Sequence, residues 1–141
     1  MDNLDILNEI YQGVKMGMDS ISTVSEKVGD EQFKQELSSQ YNAYRTIGDK
    51  VNTKFEEYGE IPDDENLGQK VMSWTGIQMN TITDKSNSHI SDLLIQGTTM
   101  GIIEGKKLLN QNPNADQNVK QILDEFIQLQ ENNIEKLKTY L

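Results

Sequence analysis

The sequence lacks most of the residues that perform chemistry. Its 141 residues include no cysteine, a single histidine (His89) and only two prolines. The absence of cysteine excludes disulfide bonds and thiolate metal sites. The scarcity of proline, together with a hydrophobic content of 35%, is typical of an ordered chain and not of a disordered tail. The composition therefore predicts a folded protein and names neither a substrate nor a reaction.

Positive charge and long apolar runs are also scarce. The formal net charge is −10, from 23 acidic and 13 basic residues, and the basic residues are scattered. Nucleic acids and anionic membranes require a positive face, so neither is expected as a partner. No apolar run approaches the roughly 20 residues that span a bilayer, and the amino terminus does not have the pattern of a secretory signal. We therefore expect a cytoplasmic protein whose acidic surface is solvated, although acidity could also attract cations or a basic protein.

The apolar residues recur at steps of three and four, which predicts an all-α protein. Four long helices are expected in a single domain, 1–141. Their predicted bounds are 4–28, 31–58, 86–110 and 115–140. The second would be ~42 Å long, the length of a bundle helix. Short connections make helices one and two, and helices three and four, antiparallel neighbours.

The stretch 59–84 decides the predicted topology because it is too long for a hairpin turn. It contains a helical pattern of its own over 66–82, which would advance ~25 Å and return the chain along the bundle. Its apolar residues could form a partner surface or pack on the bundle; they are Met72, Trp74, Ile77 and Met79. The sequence thus predicts a four-helix bundle with a long crossover, containing a short extra helix, between helices two and three.

Glycines recur at helical spacing on two of these helices. They are Gly13, Gly17, Gly97, Gly101 and Gly105. Each internal helical glycine costs about 1 kcal/mol relative to alanine, so tight helix packing is the expected compensation. In the crossover topology helices one and three are antiparallel and the two glycine faces lie level with each other. In a plain up-down-up-down bundle they would not. We therefore expect these two helices to approach each other closely through their bare backbones.

The run from Met79 to Ile90 and the run from Ile95 to Ile103 carry a resemblance to a known family. The chain resembles a family of small, largely uncharacterised bacterial ferritin-like bundle proteins, with the helix order and lengths extending the likeness over nearly the whole chain. This resemblance implies a ferritin-like fold and no particular reaction.

Di-iron members of the ferritin-like group take a Glu from each of two helices and a Glu-x-x-His from each of the other two. Here no Glu-x-x-His occurs, and Ser86 stands three residues before His89. Roles of the di-iron kind are therefore not expected, and no cofactor is predicted.

Weaker metal candidates remain at the start of helix three. Asp84, His89 and Asp92 lie about one turn apart and could hold a divalent ion, but His89 as a locally hydrogen-bonded residue is the favoured interpretation. Glu104 lies on the stripe that carries the glycines, so it must be paired or reach solvent.

Two glutamines, Gln40 and Gln130, fall on core-facing positions and could form a polar layer with Glu104. A hairpin centred near residue 112 would place Gln130 level with about residue 95, ~13 Å from Glu104. Isolated polar residues that fix helix register are therefore favoured over a joint site.

Two classes of function are compatible with these observations. The favoured one is a non-enzymatic bundle that acts through protein contacts, as a homodimer or small oligomer. The alternative is a metal- or small-ligand-binding domain with an acidic site near His89.

Overall fold

The computed structural model describes residues 2–63 and 82–141. Four helices account for most of them: α1 (Asn3–Ser25), α2 (Glu31–Glu57), α3 (Asn87–Gln111) and α4 (Gln117–Lys138). The crossover helix predicted over 66–82 lies outside the described residues except for its last position, Ile82, which is buried and not helical. The predicted partner surface of Met72, Trp74, Ile77 and Met79 also lies outside the described residues.

Short polar side chains begin the first three helices. Asp2 and Asp5 form a reciprocal capping box at α1, Asp30 accepts from the Gln32 and Phe33 amides at α2, and Ser86 accepts from the His89 amide at α3. Such caps satisfy amide groups that have no partner inside the helix. At α4 the N-cap residue is Asp116, which makes no side-chain capping bond. Its carboxylate accepts instead from the Tyr58 hydroxyl at 2.6 Å, and this bond raises the pKa of Tyr58 to about 12.

Hydrogen bonds between helix ends establish the topology. Asn87, at the start of α3, donates to Asp30, at the start of α2, so α2 and α3 run in parallel. The Asp116 amide donates to Asn3, which places the starts of α4 and α1 together. It follows that α1 and α3 are antiparallel and that a crossover along the bundle separates α2 from α3. The predicted four-helix bundle with this crossover is confirmed.

The core lies along the common axis of the four helices. Leucine, isoleucine, valine and phenylalanine side chains fill it, and the largest fully buried ones include Phe33, Phe55, Leu37 and Ile127. The Phe33 ring stacks on Tyr140 with centroids 4.4 Å apart, which closes one end of the bundle. Among the described residues, no helix combines the length and apolar character needed to cross a bilayer.

Packing between the helices is uneven. The pairs α1–α2 and α3–α4 pack along their length, α2 and α4 also meet closely, and α1 and α3 meet over a smaller part. Among the described residues, this uneven packing leaves space between α1 and α3.

Candidate functional site

A cleft of about 410 Å³ lies between α1 and α3 in the middle of the bundle. Residues of α1 and α3 form its walls, and Gln40, Tyr44, Phe126 and Gln130 reach it from α2 and α4. The lining is mainly apolar, with several uncharged polar groups and two acidic residues, Glu9 and Glu104. This combination is typical of sites that bind small molecules.

All five glycines singled out in the sequence line this cleft. Their neighbours differ from the prediction of backbone meeting backbone. A Cβ atom on Gly13 would lie 2.7 Å from Cζ of Phe126, and one on Gly17 would lie 2.6 Å from Cζ of Tyr44. The bare surface of α1 therefore receives aromatic rings from α4 and α2. These two rings are 6.3 Å apart and tilted by 57°, and they occupy the space into which α3 would otherwise pack.

Gly101 and Gly105 of α3 make room for side chains of α4. A Cβ atom on Gly105 would lie 2.8 Å from Cγ1 of Ile127, and one on Gly101 would collide with the side-chain oxygen of Gln130. The α3–α4 hairpin is thus drawn together at these positions, while α3 stands apart from α1. The prediction that α1 and α3 pack closely through bare backbones is wrong at Gly13, Gly17, Gly101 and Gly105, because side chains of α2 and α4 lie against these glycines.

Gln40 and Gln130 are both 3% exposed and both line the cleft. The Gln40 side-chain amide donates to Glu36 at 3.1 Å, and the Gln130 side-chain amide donates to the Phe126 carbonyl at 3.4 Å. A carboxamide has an oxygen acceptor and a nitrogen donor, and only the nitrogen can form these bonds. The two bonds therefore fix the orientation of both glutamines.

The predicted distance between Gln130 and Glu104 is also wrong. Gln130 lies opposite Gly101, not opposite residue 95, because the α3–α4 connection extends to Asp116 and centres the hairpin later than residue 112. Glu104 is only three residues, or about 5 Å along the axis, from Gly101. Gln40, Glu104 and Gln130 therefore line the same cleft instead of standing as isolated residues.

Tyr44 brings a hydroxyl group to the cleft. Its ring is 4% exposed, and burial raises its pKa to about 12, an effect that Asn133 and Thr98 beside the hydroxyl partly offset. The Asn133 side-chain nitrogen is buried and forms no hydrogen bond of good geometry with any described residue. Because its pKa is raised to about 12, Tyr44 carries its proton throughout the physiological pH range.

A solved structure with a similar architecture matches nearly the whole of this chain. It is described as a dodecameric thioferritin, the bacterioferritin-related protein from Bacteroides fragilis. The match covers 98% of this chain and 83% of that chain, with a TM-score of 0.77 and 12% sequence identity. The fold is ferritin-like. No protein-family model matches the sequence, and no curated protein matches it either.

The metal candidates of this ferritin-like bundle make local contacts and do not converge on one site. Asp84 accepts from the Ser86 amide at 3.0 Å, and this bond, with a smaller effect of His89, lowers the pKa of Asp84. Asp92 accepts from Gln96 at 3.0 Å. Glu104 is ~22 Å further along α3 from His89. Its side chain is 71% exposed and lies 3.7 Å from Lys107 at the rim of the cleft, so it reaches solvent.

Within residues 2–63 and 82–141, no three His, Cys, Asp or Glu side chains converge as a metal site would require. The cleft instead brings together the uncharged polar groups of Gln40, Tyr44 and Gln130, with Glu9 and Glu104 also in its lining. Sequence reasoning identified the two glutamines as core-facing but missed Tyr44 and Phe126. The available signal was the spacing across the α1–α2 hairpin, which sets Gly17 level with Tyr44.

Proposed function

We propose that this ferritin-like bundle acts by binding and not by catalysis, and that it holds a small, uncharged, mainly apolar molecule in the cleft between α1 and α3. The observation that carries the proposal is the cleft itself, about 410 Å³ in volume and lined by all four helices. Volumes of roughly 300–1,000 Å³ are usual for small-molecule sites. The proposed ligand site lies in the middle of the bundle and not near His89 at the start of α3, where the sequence predicted the alternative acidic site.

The lining supports an apolar occupant. Ile10, Leu94, Leu123 and Phe126 offer hydrocarbon surface, and removal of a ligand's apolar surface from water contributes about 25 cal/mol per Å². The uncharged carboxamide and hydroxyl groups among them provide orientation at a low desolvation cost. A charged ligand would have to enter beside the exposed Glu104 and an acidic surface, which disfavours anions.

A substitution that fills the cleft tests the proposal. Ser20 lines the cleft and is 7% exposed, so Ser20→Leu should occupy part of the ligand volume. Ser22 is exposed on the same helix, and Ser22→Leu is the matched control. We expect 2-methylnaphthalene to bind the native protein with a stoichiometry of one, measured by calorimetry. Ser20→Leu should weaken binding about tenfold, or by 1.4 kcal/mol, and Ser22→Leu should leave it unchanged.

Absence of binding to the native protein would overturn the proposal. Equal weakening by Ser20→Leu and Ser22→Leu would also overturn it, because the ligand would then lie outside the cleft. Circular dichroism of both variants confirms that the helical bundle is retained.

We further propose that the protein forms a homo-oligomer, consistent with action through protein contacts. Met100 and Ile103 of α3 are 49% and 48% exposed and lie three residues apart on one face. The similar structure from Bacteroides fragilis is described as dodecameric. Exposed neighbouring apolar side chains are typical of surfaces that pair with another chain.

Native mass measurement tests self-association. We expect a mass that is a multiple of the 16.1 kDa chain, and we expect Ile103→Glu to lower it because a carboxylate would be buried at the contact. Asn52→Glu, at an exposed position of α2, serves as the control. A monomeric native protein, or an oligomer that Ile103→Glu does not affect, would contradict the proposed surface.

A further inference from the structure

We infer that the cleft selects a ligand carrying an O–H or N–H donor, which bonds to the side-chain oxygen of Gln130, while Gln40 offers a further acceptor to a ligand with a second donor. This inference rests on the proposed function and specifies the chemistry of the ligand. An uncharged alcohol, phenol or secondary amide attached to an apolar body has the required chemistry.

Gln130 provides the first acceptor. Its nitrogen is directed to the Phe126 carbonyl, which turns Oε1 the other way, against the bare backbone of Gly101. In the described part of the chain no group donates a hydrogen bond to this oxygen. The side chain is nevertheless 3% exposed and lines the cleft. An acceptor at the wall of a cleft that has no protein donor takes its hydrogen bond from a water molecule or a ligand.

Gln40 provides the second acceptor by the same logic. Its nitrogen donates to the Glu36 carboxylate at 3.1 Å. The carboxamide oxygen has no hydrogen to donate, so it cannot form this bond. The remaining side-chain oxygen of Gln40 accepts no hydrogen bond from the residues that the structure describes. Both glutamines therefore line the cleft with their donors already engaged and with oxygens that accept no hydrogen bond from the described residues.

This arrangement discriminates between ligands of equal size. A purely apolar occupant displaces water and leaves the Gln130 oxygen unpaired, whereas a hydroxyl or N–H donor replaces the lost hydrogen bond. A site that hydrogen-bonds a group of its ligand strongly rejects the analogue that lacks this group. An apolar pocket discriminates only weakly against a ligand that carries an additional group. A carboxylate ligand offers only acceptors and would face the Gln oxygens and the nearby Glu36 unfavourably.

A pair of nearly isosteric probes tests the inference. The hydroxyl group of 2-naphthol replaces the methyl group of 2-methylnaphthalene, so the two differ chiefly in the donor. We expect the native protein to bind 2-naphthol about tenfold more tightly, measured by calorimetry at neutral pH. Gln130→Leu should reduce this preference to within about twofold because the acceptor is gone. Gln128→Leu, an exposed position on the same helix, should retain the full preference.

Gly101→Ala provides a second variant that keeps Gln130 in the sequence. The new methyl group would occupy the space of the Gln130 oxygen and displace the carboxamide, so the preference for 2-naphthol should fall here too. Binding of both probes with equal affinity to the native protein would overturn this inference and leave the proposed function intact. Binding of neither probe would overturn the proposed function. A preference that survives both Gln130→Leu and Gly101→Ala would place the donor contact elsewhere and contradict the assignment.

Discussion

At the scale of single residues, the glycines act by accepting side chains. Gly17 lies against the ring of Tyr44, and Gly13 lies against the ring of Phe126. Each glycine forgoes about 1 kcal/mol of helix propensity relative to alanine. The gain is close packing of two large rings, which line the cleft and hold it at a fixed size.

Gly17→Ala tests this packing. A Cβ atom there would lie 2.6–2.8 Å from three carbons of the Tyr44 ring, which is 4% exposed and has little room to move. Overpacking costs typically about 1–3 kcal/mol, against a gain of about 1 kcal/mol in propensity. We expect a net loss of up to about 2 kcal/mol in the free energy of unfolding, measured by urea denaturation.

Gly29→Ala is the matched control, since a Cβ atom on Gly29 would meet nothing within 4 Å. It should be neutral or stabilising by about 0.5 kcal/mol because it restricts the unfolded chain. Equal stability of the two variants would show that the Tyr44 ring does not confine Gly17.

At the scale of helices and connections, the bundle is held at its ends by a few directed hydrogen bonds. Asp30 caps α2 through the Gln32 and Phe33 amides and also accepts from Asn87 of α3 at 3.0 Å. Tyr58, just after α2, donates to Asp116, just before α4. These bonds join α2 to α3 and α2 to α4, which are separated along the chain by the long crossover.

The Asp30 junction predicts a dependence of stability on pH. Its hydrogen bonds, first the one from Phe33 and then the one from Asn87, lower the pKa of Asp30 below its ordinary value of 3.8. A depressed folded-state pKa contributes stability that is complete above 3.8 and is lost as the pH falls through the folded-state value. Asp30→Asn keeps a capping oxygen but no titrating charge. We expect it to lower the melting temperature at pH 7 and to approach the native protein as the pH falls below 3.8.

Asn87→Ala separates the two parts of this junction, because it retains the α2 cap and removes the tie to α3. Its melting temperature at pH 7 should also be lower than that of the native protein. A gap between native protein and Asp30→Asn that stays constant from neutral to acidic pH would rule out the titration of Asp30 as its cause.

At the scale of the whole molecule, acidity dominates the electrostatics. The chain carries a net charge of −10, and the ion pairs formed by described residues, such as Lys50–Glu125 at 2.8 Å, are largely exposed. Exposed pairs contribute about 0–1 kcal/mol each. Repulsion among the surplus carboxylates therefore opposes the compact state.

Salt should stabilise this protein. Raising NaCl from about 10 mM to about 150 mM shortens the screening length from roughly 30 Å to roughly 8 Å and weakens long-range repulsion more than close pairs. We expect the melting temperature to rise over this range, and to rise similarly with KCl. A falling melting temperature would mean that the exposed ion pairs outweigh the repulsion.

Much of the fold could be predicted from local sequence. The three- and four-residue spacing of apolar side chains indicates each long helix, because one face of a helix must be buried and successive turns repeat every 3.6 residues. The crossover topology also followed, from the level match of the α1 and α3 glycines and from the length of the stretch 59–84. The topology was right although the reason was partly wrong, since the glycines lie level around a cleft and do not join two backbones.

Less of the candidate site could be predicted. The sequence marked Gln40, Glu104 and Gln130 as unusual, but counting residues across the α3–α4 connection placed Gln130 too far from Glu104. A few residues of loop shift this register, and the loop conformation depends on contacts such as that between Asp116 and Tyr58, far away in sequence. The emphasis on His89 arose because histidine is chemically distinctive, whereas the structure gathers uncharged groups elsewhere.

The sequence by itself determined the helices and their order, because these depend on the spacing of neighbours along the chain. Only the tertiary structure decided that α1 and α3 stand apart. Where the glycine surface of α1 is bare, the Tyr44 and Phe126 rings of the other two helices lie against it, and α3 does not. The cleft results from how four helices share space, a property that no single helix carries.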